Sequence, residues 1–257
     1  MSAKSANDKP DAEKNFREAL KFSPTPEFSR EIKLELAFIL KSRGENIEAA
    51  NIFSELMETK AVDRLTPARL AWTAEALLSV SNFTASLKAA EILEKRNSDQ
   101  TWNQIGAYLV GCAQQSLGHT DAAIAAWERA LLTGAKTSSG AMAALKLGEA
   151  QLKLGKFSEA HKNRSDAVSR ADSTELIGLR VKAYAALAEN EETRGDADAA
   201  LKYHLVVGTL FDDPELVPKS MLAESQIMRA QGKLDEAKKL LEELKTRYPN
   251  SVKGEDK

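Results

Sequence analysis

The stretch that decides the fold is Gln104–Leu132, QIGAYLVGCAQQSLGHTDAAIAAWERALL. Ile105, Tyr108, Leu109 and Cys112 recur at helical spacing on the way to Leu117. Gly118-His119-Thr120 then turns the chain, and glycine suits that helix stop because it accepts a left-handed backbone at little steric cost. From Asp121 to Leu132 a return helix carries Ala123 and, one turn later, Trp127. A small residue followed a turn later by a large apolar one describes a helix packed closely against a neighbour. The segment therefore predicts an antiparallel helix pair.

The same pattern extends in both directions. Turn residues stand at Asn7, Gly44, Ser81, Gly118, Gly155, Gly195 and Gly232, in steps of 37, 37, 37, 37, 40 and 37 residues. Five residues after them come Ala12, Ala49, Ser86, Ala123, Ala160, Ala200 and Ala237. Nine residues after them come Phe16, Phe53, Ala90, Trp127, Arg164, His204 and Leu241. A fixed period of this length is the signature of a repeat array, in which each unit buries its apolar face against the next. The reading is one array: a half repeat over 7–29, repeats over 30–66, 67–103, 104–140, 141–180, 181–217 and 218–250, and a disordered polar tail over 251–257. Pro67 and Pro218 fall at the first position of their repeats, where a helix tolerates a missing donor. The step of 40 predicts a longer loop near Ala171–Thr174. One lone helix, Lys9–Lys21, and six pairs make thirteen helices, an all-α fold.

Composition agrees. The 257 residues are 43% hydrophobic and only 6% aromatic, with thirteen Gly and seven Pro among long Ala/Leu/Glu/Lys stretches. Thirty-six basic and 38 acidic residues leave a formal charge of −2 with no polybasic block, which argues against nucleic-acid binding. A single cysteine, Cys112, excludes an intramolecular disulfide. The first segment lacks the apolar core of a secretory signal. The longest apolar-rich run, Leu34–Leu40, contains Glu35 and is too short to span a bilayer. The default expectation is a cytoplasmic protein without direct membrane insertion, or a periplasmic one if a signal or anchor has been removed.

Catalytic motifs are missing. His119, His161 and His204 fall in three different repeats without metal-ligand spacing. No glycine-rich phosphate loop or nucleophile elbow occurs, the Gly134–Gly140 segment reads as a plain loop, and no base supports Cys112 as a nucleophile. The expectation is a non-catalytic protein with no cofactor and no metal.

Position 8 of the six full repeats reads Ala37, Ala74, Gly111, Gly148, Ala188 and Ser225; position 27 includes Ala19, Ala130 and Ala167; position 32 supplies Pro24 and Pro249. With Leu117-Gly118 through Trp127-Glu128-Arg129-Ala130, and Leu154-Gly155-Lys156-Phe157-Ser158-Glu159-Ala160, the chain resembles the tetratricopeptide repeat family over nearly its whole length. That resemblance implies a right-handed α-solenoid of antiparallel helix pairs. Two departures stand out: a period of 37 rather than about 34, and Arg164 and His204 at position 24, where an apolar residue is expected.

The resemblance also implies a concave groove lined by the first helix of each pair. Carried onto this chain, the partner-binding residues are Leu34, Phe38, Glu75, Tyr108, Cys112, Leu145, Glu149, Glu189, Glu192 and Leu222. The family's carboxylate-gripping Lys and Asn are absent from positions 5 and 9. A largely apolar groove with a line of carboxylates suits a protein or peptide partner that is apolar with some basic residues. The leading expectation is an interaction scaffold. The alternative is a bacterial envelope assembly or cell-division accessory protein, periplasmic or membrane-anchored, from the likeness of Gly232–Ser251 to repeats of periplasmic coordinators and outer-membrane assembly lipoproteins. Both ends read as uncapped: the chain is excised from a longer protein, its ends are covered in a homo-oligomer, or charges such as Lys14, Arg17, Glu18 and Lys21 keep the first helix soluble.

Overall fold

The computed structural model of the chain describes residues 8–22, 25–96 and 99–251. Within them lie thirteen α-helices and no strand: α1 Asp8–Lys21, α2 Pro26–Ser42, α3 Asn46–Met57, α4 Pro67–Ser79, α5 Phe83–Arg96, α6 Gln100–Ser116, α7 Thr120–Leu131, α8 Ser138–Lys153, α9 Phe157–Arg170, α10 Ile177–Arg194, α11 Ala197–Leu210, α12 Leu216–Ala230 and α13 Leu234–Arg247. Short 3₁₀ turns at Lys60–Arg64 and Thr174–Leu176 precede α4 and α10. The chain forms two compact units, Met1–Thr133 with α1–α7 and Gly134–Lys257 with α8–α13. Asn7, Pro24 and residues 252–257 of the expected tail lie outside the described residues; Ser251 donates its backbone N–H to the Tyr248 carbonyl at 3.0 Å.

The turn residues act through their backbone. Gly44, Gly118, Gly155, Gly195 and Gly232 have φ of 72° to 84°, and Ser81 takes the same left-handed region at 62°. In each turn the next residue's N–H reaches back across the helix end, as His119 does to the Gln114 carbonyl and Asp196 to the Glu191 carbonyl, both at 2.9 Å. This closes the last carbonyls of every first helix and fixes the hairpin without side-chain help. The starts of α4 and α8 are capped by side chains: Thr66 and Thr137 accept from Arg69 N at 3.4 Å and Gly140 N at 3.0 Å. Pro67 opens α4 as expected, whereas α12 starts two residues before Pro218, with Asp213 accepting from Leu216 N at 2.8 Å. Pro218 still lies in the first turn, where no intrahelical acceptor awaits its missing donor. The expected loop at Gly134–Gly140 ends early because Thr137 starts α8. Near Ala171–Thr174 the chain enters the 3₁₀ turn, followed by the eighteen-residue α10.

Paired positions 8 and 24 set how closely each hairpin packs. A Cβ on Gly111 would lie 2.2 Å from Trp127 Nε1, and one on Gly148 would lie 2.7 Å from Arg164 Cγ. Where position 24 is Ala90, position 8 carries Ala74, and both are fully buried. The interiors differ in polarity. In the first unit the core is apolar around Phe53, Leu70, Leu77 and Leu93, and its buried polar residues are neutral: Thr73, Ser86 and Gln104. Ser86 donates to the Ala74 carbonyl at 2.8 Å, and Gln104 to the Ala130 carbonyl at 2.9 Å. The second unit packs Val181, Val207, Val217, Met221 and Leu244, yet also buries Arg164, Arg170, Glu191, His204 and Glu224.

Candidate functional site

In the first unit, α2, α4 and α6 supply the expected groove residues. Leu34 and Phe38 are only 9% and 7% exposed. Phe38 meets Phe53 edge-on at 5.0 Å and stacks on Trp72 with ring centroids 5.6 Å apart and planes 7° from parallel. The Arg69 guanidinium lies 4.5 Å from the Phe38 ring. Expected as an open anchor, Phe38 is instead a core side chain beneath Trp72, because α4 offers small Ala71 at position 5 and the large ring beside it at position 6. Trp72 remains 36% exposed, so it presents the aromatic surface of this face.

The Lys41 amine completes the corner. It sits 4.2 Å from the Trp72 ring, donates to the Trp72 carbonyl at 2.9 Å and approaches Glu75 at 3.9 Å. Burial pulls this lysine down to about 8, against the opposing pull of Glu75. Farther along, burial pushes the Tyr108 hydroxyl up, reinforced by its contact with Cys112 and by the charge of Glu75. Cys112 itself is half-buried. Glu75 on α4 thus interacts with Lys41 on α2 and Tyr108 on α6. Beside Leu34, a cleft of about 510 Å³ is rimmed by Arg30, Glu31, Glu35, Arg64 and Arg69. Two of its arginines are paired, Arg69 with both oxygens of Glu35 at 2.5 and 2.9 Å and Arg64 with Glu31 at 2.5 Å.

In the second unit Leu145 and Leu222 are half-buried. Glu149 accepts from Lys153 at 2.7 Å and Lys146 at 3.0 Å, and these bonds hold its carboxyl below the usual range. Glu189 receives the Arg164 guanidinium at 2.9 Å, and Glu192 meets His204 Nε2 at the same distance. Arg164, 1% exposed, also donates to the Ala186 carbonyl. These contacts explain how polar residues fill position 24: each reaches a polar partner on α10. Glu189, Glu192 and His204 line a cleft of about 470 Å³ with Ala185, Lys219 and Ser220. The carboxylates expected to stand open as a line therefore each have a resident cationic or imidazole neighbour. Trp72, Lys41 and Arg69 were not among the expected groove residues; the signal for them is the Ala71-Trp72 pair at positions 5 and 6.

Among the described residues no cluster of three His, Cys, Asp or Glu side chains is arranged to hold a metal, and no helix is long and apolar enough to cross a membrane. His119 pairs with Gln114 at 2.8 Å and His161 with Glu191 at 2.7 Å.

Comparison with known families decides what these hairpins are. Two sequence models, both described as tetratricopeptide repeats, match residues 104–207 and 220–251. This chain is a tetratricopeptide repeat protein. No curated protein matches it in sequence. Among solved structures it is similar to a tetratricopeptide repeat protein from Parabacteroides merdae, at 16% identity and a TM-score of 0.58 over 96% of this chain and 90% of that one. The apo form of RapI is 13% identical with a TM-score of 0.61, over 85% of this chain and 98% of that one. BtubC from P. vanneervenii is 16% identical with a TM-score of 0.54, over 98% and 93%. At these identities the likeness is one of fold. The tetratricopeptide repeat fold implies a protein–protein interaction scaffold with protein partners, and such repeats are generally non-catalytic.

Proposed function

We propose that this protein is a non-catalytic scaffold whose first-helix faces bind a peptide or helical segment of a partner protein, and that the α2–α4–α6 face of the first unit carries the anchor. The observation behind this reading is Trp72, a large ring left 36% exposed on a packed helix beside Glu75, which is itself open. Aromatic side chains in such settings bring large contact area with little ordering cost, since the backbone beneath is already fixed. Tyr108 and Cys112 extend the strip, and Leu145, Glu149, Glu189, Glu192 and Leu222 offer the corresponding strip of the second unit. The bound segment carries apolar side chains with a few Lys or Arg.

The test is capture of partners from the source organism with wild-type protein and with Trp72→Ala, after equal helicity has been checked. A protein captured by the wild type and lost from the variant supports the face as the binding site. Equal capture by both moves the site elsewhere on the chain.

A further inference from the structure

The corner where α2 meets α4 holds a cation under unusual conditions. The Lys41 side chain is only 12% exposed, yet among the described residues its amine has one carboxylate neighbour, Glu75, at 3.9 Å. Its other contacts are the Trp72 ring at 4.2 Å and the Trp72 carbonyl at 2.9 Å. An ammonium removed from water and so loosely paired is poorly compensated. Its low proton affinity, pulled down to about 8 by burial, agrees with that account. Meanwhile the groups that face it keep access to solvent: Glu75 has 56% of its side chain exposed and Trp72 is 36% exposed.

Ring, carboxylate and carbonyl together are a recognition set for a cation, and Lys41 shows which chemistry they accept. We propose that this corner is a subsite for a basic side chain of a bound peptide, arginine above lysine, and that Lys41 is the resident cation it displaces. This rests on the peptide-binding reading and names what the segment must carry. Arginine is favoured because its guanidinium is more weakly hydrated than an ammonium, stacks on an aromatic face and can offer parallel donors to Glu75. The neighbouring arginines do not compete for Glu75: Arg69 is held by Glu35 and Arg64 by Glu31. An acidic side chain would meet Glu75 with only Lys41 to offset it. Once displaced, Lys41 regains water, which offsets part of the desolvation of the incoming group.

The probe is Nα-acetyl-arginine N-methylamide, with the norleucine analogue as an uncharged control. The readout is the indole N–H resonance of Trp72 in ¹⁵N-labelled full-length protein, assigned by its loss in Trp72→Phe. In Lys41→Ala the arginine probe shifts this resonance with an affinity about ten-fold tighter than in wild type, as expected for removal of a cation–π competitor. The norleucine probe leaves the resonance unmoved, and adding Glu75→Gln to Lys41→Ala weakens the arginine response. Lys41→Gln, which keeps a donor for the Trp72 carbonyl, gives the same order should the alanine variant fold poorly. Equal affinity in wild type and both Lys41 variants, or an equal response to norleucine, overturns the subsite. Partner capture that depends on Trp72 while the arginine probe gives no response would sink the cation subsite and leave the peptide-binding face standing.

Discussion

Gly111→Ala tests whether the close approach of α6 and α7 sets the hairpin. The new Cβ would lie 2.2, 2.4 and 2.8 Å from Trp127 Nε1, Cδ1 and Cε2. Ordinary carbon contacts lie near 3.5–4.0 Å, so relief needs a movement on the order of 1 Å. The indole is 1% exposed and packed in the interior, and overpacking of such a site costs about 1–3 kcal/mol. Replacing glycine by alanine inside a helix returns about 1 kcal/mol of propensity. With overlap this severe the steric side wins, and the net loss is about 2 kcal/mol. Urea unfolding followed by helical circular dichroism reads it as a lowered midpoint. Gly178, in the first turn of α10 with no atom within 4 Å of an added Cβ, is the control: Gly178→Ala keeps or raises the midpoint. In a Trp127→Leu background Gly111→Ala loses its steric penalty and keeps the propensity gain, because the overlapping atoms are gone, and the double-mutant cycle shows coupling of about 3 kcal/mol. An unchanged or raised midpoint for Gly111→Ala in the wild-type background would refute the reasoning.

Two further outcomes are expected. Phe38→Ala destabilises the chain by about 3–5 kcal/mol, as deletion of a buried ring does, whereas Trp72→Ala has the smaller effect; comparison of their urea midpoints checks the order, and its reversal would return Phe38 to the surface. Glu224, 3% exposed, has its carboxyl pushed up by burial and then by the charge of Glu243. A raised carboxyl contributes stability in the protonated form, and that contribution is lost as pH rises through the folded-state value. Glu224→Gln therefore stabilises by about 1 kcal/mol at pH 7, with the gain vanishing in acid. Thermal midpoints at pH 7 and pH 4 test this, and the same gain at both would contradict it.

The hairpin register was legible because it depends on local chemistry. A left-handed turn residue, a small position 8 and a position 24 of matching size recur within each repeat, and Gly111 with Trp127 states the rule in two letters. Side-chain exposure was less legible. Phe38 and Trp72 belong to neighbouring repeats, and sequence periodicity does not say which of two stacked rings lies outside. The charged fillings of position 24 were visible as anomalies, but not their solution, since the Ala186 carbonyl and Glu189 lie more than twenty residues from Arg164. Nor could spacing show that Glu75 already has Lys41 for a neighbour, 34 positions away in the chain.

Among the described residues the most deeply buried charged side chains fall in the second unit, while in the first the most deeply buried polar residues are neutral and Lys41 keeps partial exposure. Warming favours both interiors, through different terms. Apolar cohesion weakens on cooling, whereas the hydration forfeited by a buried ion becomes less costly to lose on warming. Cold therefore loosens the apolar interior beneath the aromatic corner and also raises the penalty on the charges buried around Arg164 and Glu191, so each half loses on cooling for its own reason.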